Sequence, residues 1–122
     1  MNTKSISLTE IYELVHKIMI SNGCNEANAC ALADIVTMAE RDGSHSHGLF
    51  RVPGYVKALK SGKVDGKAQP EITNKTSAII QVNGNRSFAP LAQKIGLPLL
   101  EKATKEIGIG ALSLVNIHHF AA

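Results

Sequence analysis

Two successive apolar patterns of helical period, each with its own start and stop signal, most constrain the fold of this chain. Ser7-Leu8-Thr9-Glu10 has the form of a capping box. In such a box the Ser7 hydroxyl accepts from the third helical N–H while Glu10 reaches back to the cap. Leu8, Ile11, Leu14, Val15, Ile18 and Met19 then recur at three- and four-residue spacing and define one apolar stripe, which Asn22-Gly23 terminates. Asn25, followed by Glu26 in the first turn, starts a second pattern that is rich in alanine and runs to about Arg41 before Asp42-Gly43. Ala27, Ala29, Ala31, Ala33 and Ala39 allow close helix approach, and Leu32, Ile35, Val36 and Met38 supply bulk. With so short a connection, the two helices are expected to form an antiparallel hairpin. His16 lies beside the first stripe and reads as a packing or surface histidine.

A chain of 122 residues with 44% hydrophobic and 19% charged residues suits one globular domain with a modest core. The net charge of +3 is scattered rather than clustered, which argues against a nucleic-acid footprint and equally suits anionic small molecules such as carboxylates or phosphates. No apolar run is long enough to span a bilayer, and the N-terminus does not read as a signal peptide. The expectation is therefore a cytoplasmic protein without a membrane partner. Cys24 and Cys30 flank the start of the second helix at a separation unsuited to an easy bridge, and read as reduced, semi-buried thiols. The chain ends at Phe120-Ala121-Ala122, directly after an apolar strand pattern, which suggests a piece of a longer protein.

Beyond the hairpin lies the densest polar stretch, from Arg41 to Tyr55, holding Ser44, His45, Ser46, His47, Arg51 and Tyr55 among Gly43, Gly48 and Gly54. A single helix would put His47, Arg51 and Tyr55 on one face, but Pro53 opposes it. The better arrangement is a short turn through Gly48 to Arg51, with Pro53 opening a new helix that ends near Ser61-Gly62. The segment from Lys63 to Lys75 is polar and turn-rich, with a short extended piece expected at Glu71 to Thr73. Ala78 to Val82 reads as a strand closed by the turn Asn83-Gly84. Ala89 to about Lys105 has helical period, with a kink expected at Gly96 and Pro98. Ala111 to Val115 reads as an apolar strand that delivers Asn116, His118 and His119 at its carboxyl end.

These elements admit more than one chemistry. Adjacent Ser46 and His47 need a bent backbone to act together, and on the residues alone the alternatives are a catalytic pair or a capping serine beside a partly buried histidine. Arg51 favours catalysis, because a guanidinium one turn beyond a histidine can clamp a substrate carboxylate while the imidazole handles a proton. A metal site built from His45, His47 and His118-His119 competes with this reading. It lacks a Glu or free Cys at ligand spacing within the segment, so no metal is expected there. Neither G-x-G-x-x-G nor a P-loop is present.

Asp42 to Tyr55, Val82-Asn83-Gly84-Asn85, and Gly108-Ile109-Gly110 through Asn116-Ile117-His118-His119-Phe120 resemble the malate/L-lactate dehydrogenase type 2 family of NAD(P)H-dependent oxidoreductases. The resemblance implies an α/β (α+β) chain: an N-terminal helical region, residues 1–75, carrying the catalytic segment, followed by residues 76–122 as the start of a non-Rossmann NAD(P)-binding sheet domain. It also implies a homodimer. Residue by residue, Ser46 and His47 match the family's catalytic pair, Arg51 matches its substrate-carboxylate contact, and His119, Phe120, Ala121 and Ala122 begin its cofactor-binding segment. Where many members have His-Phe-Gly, this chain has His119-Phe120-Ala121, which is more similar to the Δ1-piperideine-2-carboxylate/Δ1-pyrroline-2-carboxylate reductases. The implied activity is reduction of a cyclic ketimine carboxylate, with NADPH as coenzyme and NADH possible in its place. A malate- or lactate-type 2-hydroxy acid dehydrogenase is the near alternative, and an inactive helical dimerisation or binding fragment is the alternative of another class. The acidic residue of the family's catalytic relay falls beyond Ala122.

Overall fold

The computed structural model describes residues 2–118. The capping box forms as expected: the Ser7 hydroxyl accepts from Glu10 N at 3.1 Å, and Glu10 accepts from Ser7 N at 2.7 Å. Helix α1 runs Leu8–Ser21 and helix α2 runs Glu26–Arg41, the latter capped by the Asn25 side chain. Gly23 and Gly43, just past the two helices, take φ of +100° and +76°, conformations that favour a residue without a Cβ. The helices pack on each other through Ile11, Val15, Met19, Ala29, Leu32, Ala33 and Val36. Burying side chains such as Val15, Met19 and Leu32 stabilises the fold by roughly 1.5–3 kcal/mol each. Leu8 and Leu14, assigned to the α1 stripe by their spacing, are instead largely exposed. Leu14 lies on the margin of the stripe, and Leu8 is the first residue of the helix, at its end.

The turn-rich segment that follows is anchored rather than loose. Asn25 N donates to Gly66 O at 2.9 Å, and the fully buried Asn28 donates through Nδ2 to Ala68 O at 2.9 Å. Gly66 sits against the α1–α2 turn so closely that a Cβ there would lie 2.8 Å from Gly23 O. Strand β1 (Glu71–Lys75) supplies the antiparallel partner of β2 (Ile79–Asn83), and β3 (Ala111–Val115) pairs parallel with β2. The result is a mixed sheet of order β1-β2-β3.

Helix α4 (Ala89–Ile107) connects β2 to β3 and runs unbroken through Pro98. Gly96 has a packing role: a Cβ there would lie 2.5 Å from Leu112 Cδ1 and 3.0 Å from Val82 Cγ2, so its absence lets the helix lie against the sheet. Ile80, Val82 and Ala92 form this second core, and Ile117 packs against both cores. Among the described residues, four α-helices and a three-stranded sheet make the expected α/β class.

Candidate active site

Past Gly43 the backbone winds into two short 3-10 turns, His45–His47 and Leu49–Arg51, and then into helix α3 (Val52–Lys60) with Pro53 in its first turn. Proline is tolerated there because the amide it lacks would have no intrahelical partner. The tight winding resolves the geometric question raised by adjacent Ser46 and His47. The Ser46 hydroxyl and His47 Nδ1 lie 2.8 Å apart, within hydrogen-bonding distance. Arg51 Nε donates to Ser46 O at 2.9 Å, which brings the guanidinium to the same turn. Bonding at Nδ1 leaves His47 Nε2 as the ring nitrogen with no hydrogen-bond partner among the described residues. Asp42, by contrast, is paired with its neighbour Arg41 at 2.8 Å and takes no part in the turn.

The turn is held by a residue that sequence reasoning passed over. Glu40, in the last turn of α2, accepts from Leu49 N at 2.8 Å through Oε1, while its Oε2 pairs with His45 Nδ1 at 2.6 Å. Its side chain is only 13% exposed. Burial is the largest single influence on its pKa and raises it, but the bonds to His45 and Leu49 together outweigh burial and hold the carboxyl below its ordinary value. Gly48 makes room for it: a Cβ there would stand 2.1 Å from Glu40 Oε1. A signal was present in the sequence, because an acidic residue at a helix C-terminus opposes the helix dipole and calls for another source of stabilisation.

One turn beyond Arg51, Tyr55 is buried, and its hydroxyl has no hydrogen-bond partner among the described residues. Burial raises its pKa, and the charge of Arg51 acts in the opposite direction. Its ring meets Phe88 edge-on at 5.6 Å, and Phe88 meets His118 in the same way at 5.9 Å. His118 is carried there from the end of β3 by backbone bonds to Ser87 and Ala89. Asn116 has turned away, with φ of +52° and its side chain on Asn83 at 3.2 Å. His118, Gly54, Lys57, Ser61 and Lys63 line a cavity of about 280 Å³. Two lysines and an imidazole make that cavity suited to anionic groups. The expected cofactor residues His119, Phe120, Ala121 and Ala122 lie outside the described residues.

The fold has counterparts among known proteins. The malate/L-lactate dehydrogenase family model matches residues 6–122, and the chain belongs to that family. It is 42% identical over 117 residues to a Δ1-pyrroline-2-carboxylate reductase of Ancylobacter novellus, covering 96% of this chain and 34% of that protein. The crystal structure of Δ1-piperideine-2-carboxylate reductase from Pseudomonas syringae pv. tomato superposes with a TM-score of 0.93 at 38% identity, covering 98% of this chain and 36% of that one. Malate dehydrogenase from Entamoeba histolytica superposes with a TM-score of 0.87 at 28% identity, covering 98% of this chain and 33% of that one. The chain thus spans about a third of the length of the relatives it matches.

Proposed function

We propose that the protein containing this chain is an NAD(P)H-dependent reductase of a cyclic ketimine carboxylate, of the Δ1-pyrroline- or Δ1-piperideine-2-carboxylate kind, and that it works as a cytoplasmic homodimer with NADPH as the preferred coenzyme. The observation that carries the reading is the single turn in which Ser46 bonds His47 Nδ1 while Arg51 bonds the Ser46 carbonyl. Similarity to reductases of those names supports the substrate class.

In this mechanism the Arg51 guanidinium takes the substrate carboxylate and so orients the C=N bond beside His47. The nicotinamide, when bound, supplies a hydride to the imine carbon. His47 Nε2 delivers the proton that the ring nitrogen takes up as C=N becomes C–N, and Ser46 Oγ holds Nδ1 so that the imidazole keeps its orientation through the change. His118, Lys57 and Lys63 would meet cofactor phosphates, with His119 to Ala122 continuing the contact.

The test is NADPH oxidation by the full-length protein with Δ1-piperideine-2-carboxylate. His47→Ala should lower kcat by about 10²–10⁴-fold, the usual weight of a positioned general acid. Arg51→Ala should act chiefly on KM, since it removes a charge-assisted contact worth roughly 1.5–3 kcal/mol. Undiminished turnover in His47→Ala would sink the assignment. A malate dehydrogenase is also similar to this chain at 28% identity, so a higher kcat/KM for oxaloacetate than for the cyclic imine would move the substrate to a 2-oxo acid with the same residue roles.

A further inference from the structure

Away from the Ser46 turn, near the closed end of the helical hairpin where α1 turns into α2, three side chains of different chemistry converge. His16 comes from α1, and Glu26 and Cys30 come from the first turns of α2. Glu26 Oε1 lies 2.9 Å from His16 Nε2 and 3.3 Å from Cys30 Sγ, and all three atoms fall within 4.8 Å of one another. Cys30 is a free, partly exposed thiol, and Glu26 is open to solvent, so an ion can reach both. The His16 ring is stacked on Tyr12, with centroids 6.2 Å apart and planes at 13°. Glu26 and Cys30 are one helical turn apart and project from the same face, while His16 faces them across the hairpin.

We propose that His16, Glu26 and Cys30 form a site for a thiophilic divalent cation of the zinc type, which staples α1 to α2. The donor set is the argument. Imidazole, carboxylate and thiolate are the zinc ligands of proteins, and three of them with one position open to solvent is a complete tetrahedral arrangement. Zinc–ligand bonds of about 2.0–2.3 Å require donors roughly 3.3–3.7 Å apart. Here the two separations to Glu26 Oε1 open by a few tenths of an ångström through rotation of the exposed Glu26 side chain, and rotation of Cys30 about χ1 brings Sγ, now within 4.8 Å of His16 Nε2, into the same range. Binding releases the Cys30 proton, and the resulting thiolate and the Glu26 carboxylate together neutralise the ion. Cys30 and Glu40 are ten residues apart on α2, or roughly 15 Å along its axis, so the site is separate from the catalytic turn. A bound ion bridges the two helices, and such a bridge favours the folded over the unfolded state in proportion to ion occupancy.

The experiment uses the full-length protein without an affinity tag, stripped of metal and titrated with Co²⁺ and then Zn²⁺. One equivalent of Co²⁺ should produce a near-ultraviolet thiolate-to-cobalt charge-transfer band that Zn²⁺ abolishes, and Zn²⁺ should raise Tm. Cys30→Ala should remove the band and the rise in Tm, while Cys24→Ala, which alters a buried thiol outside the cluster, should keep both. His16→Gln should weaken binding by at least about tenfold, the loss produced even by removing outer-sphere partners of a metal ligand. A wild-type protein with no charge-transfer band, or a band that survives Cys30→Ala, would overturn the proposal and leave the cluster as a hydrogen-bonded triad.

Discussion

Helix α2 carries a glutamate near each end, and each is bonded to a histidine, yet the two have opposite uses. Glu26 is 72% exposed and meets His16 and Cys30 through Oε1 alone. Glu40 is 13% exposed and divides its oxygens between an imidazole and a backbone amide. Both carboxyls are held below their ordinary pKa, but for different reasons. At Glu26 the leading cause is the bond to Cys30, followed by that to His16. At Glu40 the bonds to His45 and Leu49 must overcome burial. An exposed carboxylate is free to exchange its partners, whereas a buried one fixes the backbone around it, because leaving either side unpaired there is costly. The contrast separates an adaptable surface cluster from the scaffold of the turn that carries Ser46 and His47.

The strongest way to break this contrast is Glu40→Ala. It leaves Leu49 N–H without its partner and should destabilise the protein by about 1–3 kcal/mol, as measured by denaturant unfolding. Turnover should fall with it, since Ser46 and His47 lie in the turn that Glu40 holds. Gly48→Ala should come close behind, because the new methyl group claims the space of the Glu40 carboxylate. The two changes share one mechanism, so Gly48→Ala made in the Glu40→Ala background should cost much less than in the wild type. A fully additive double-mutant cycle would refute the shared mechanism.

Acid should act in the same sense. The folded pKa of Glu40 lies below its unfolded value, so its contribution is present above the ordinary carboxylate range and is lost as pH falls through the lowered folded value. Wild-type stability should therefore decline on acidification, and Glu40→Ala should decline less steeply. Glu26→Ala, at the exposed end, should leave Tm in metal-free buffer unchanged within error. The smallest effect concerns the thiols. Burial pushes the Cys24 thiol up to about 11, so Cys24 in the folded protein should resist alkylation at neutral pH, as peptide mapping would record.

Much of the fold was legible because its signals are local. The capping box at Ser7, the Asn25 cap, and the glycines after α1 and α2 act within a few residues of where they stand. So does Pro53, whose fixed φ and missing amide placed the start of α3 within one residue. The exposure of Leu8 and Leu14 was not legible, since spacing defines a stripe but not how much of it a partner covers. Nor was the packing of Gly96, beside Pro98 in α4, against Val82 and Leu112 of the sheet.

The candidate site divides along the same line. Sequence alone singled out Ser46, His47 and Arg51, because residue type and spacing are chemical properties of a short segment. Only the tertiary structure decided that the turn is tight enough for Ser46 to reach His47, and that Glu40 organises it from the preceding helix. The same holds for His16, which spacing presented as a packing or surface histidine and which the hairpin brings to Glu26 and Cys30. Pairings of this kind depend on how two elements pack, and packing is set by the whole core rather than by either segment.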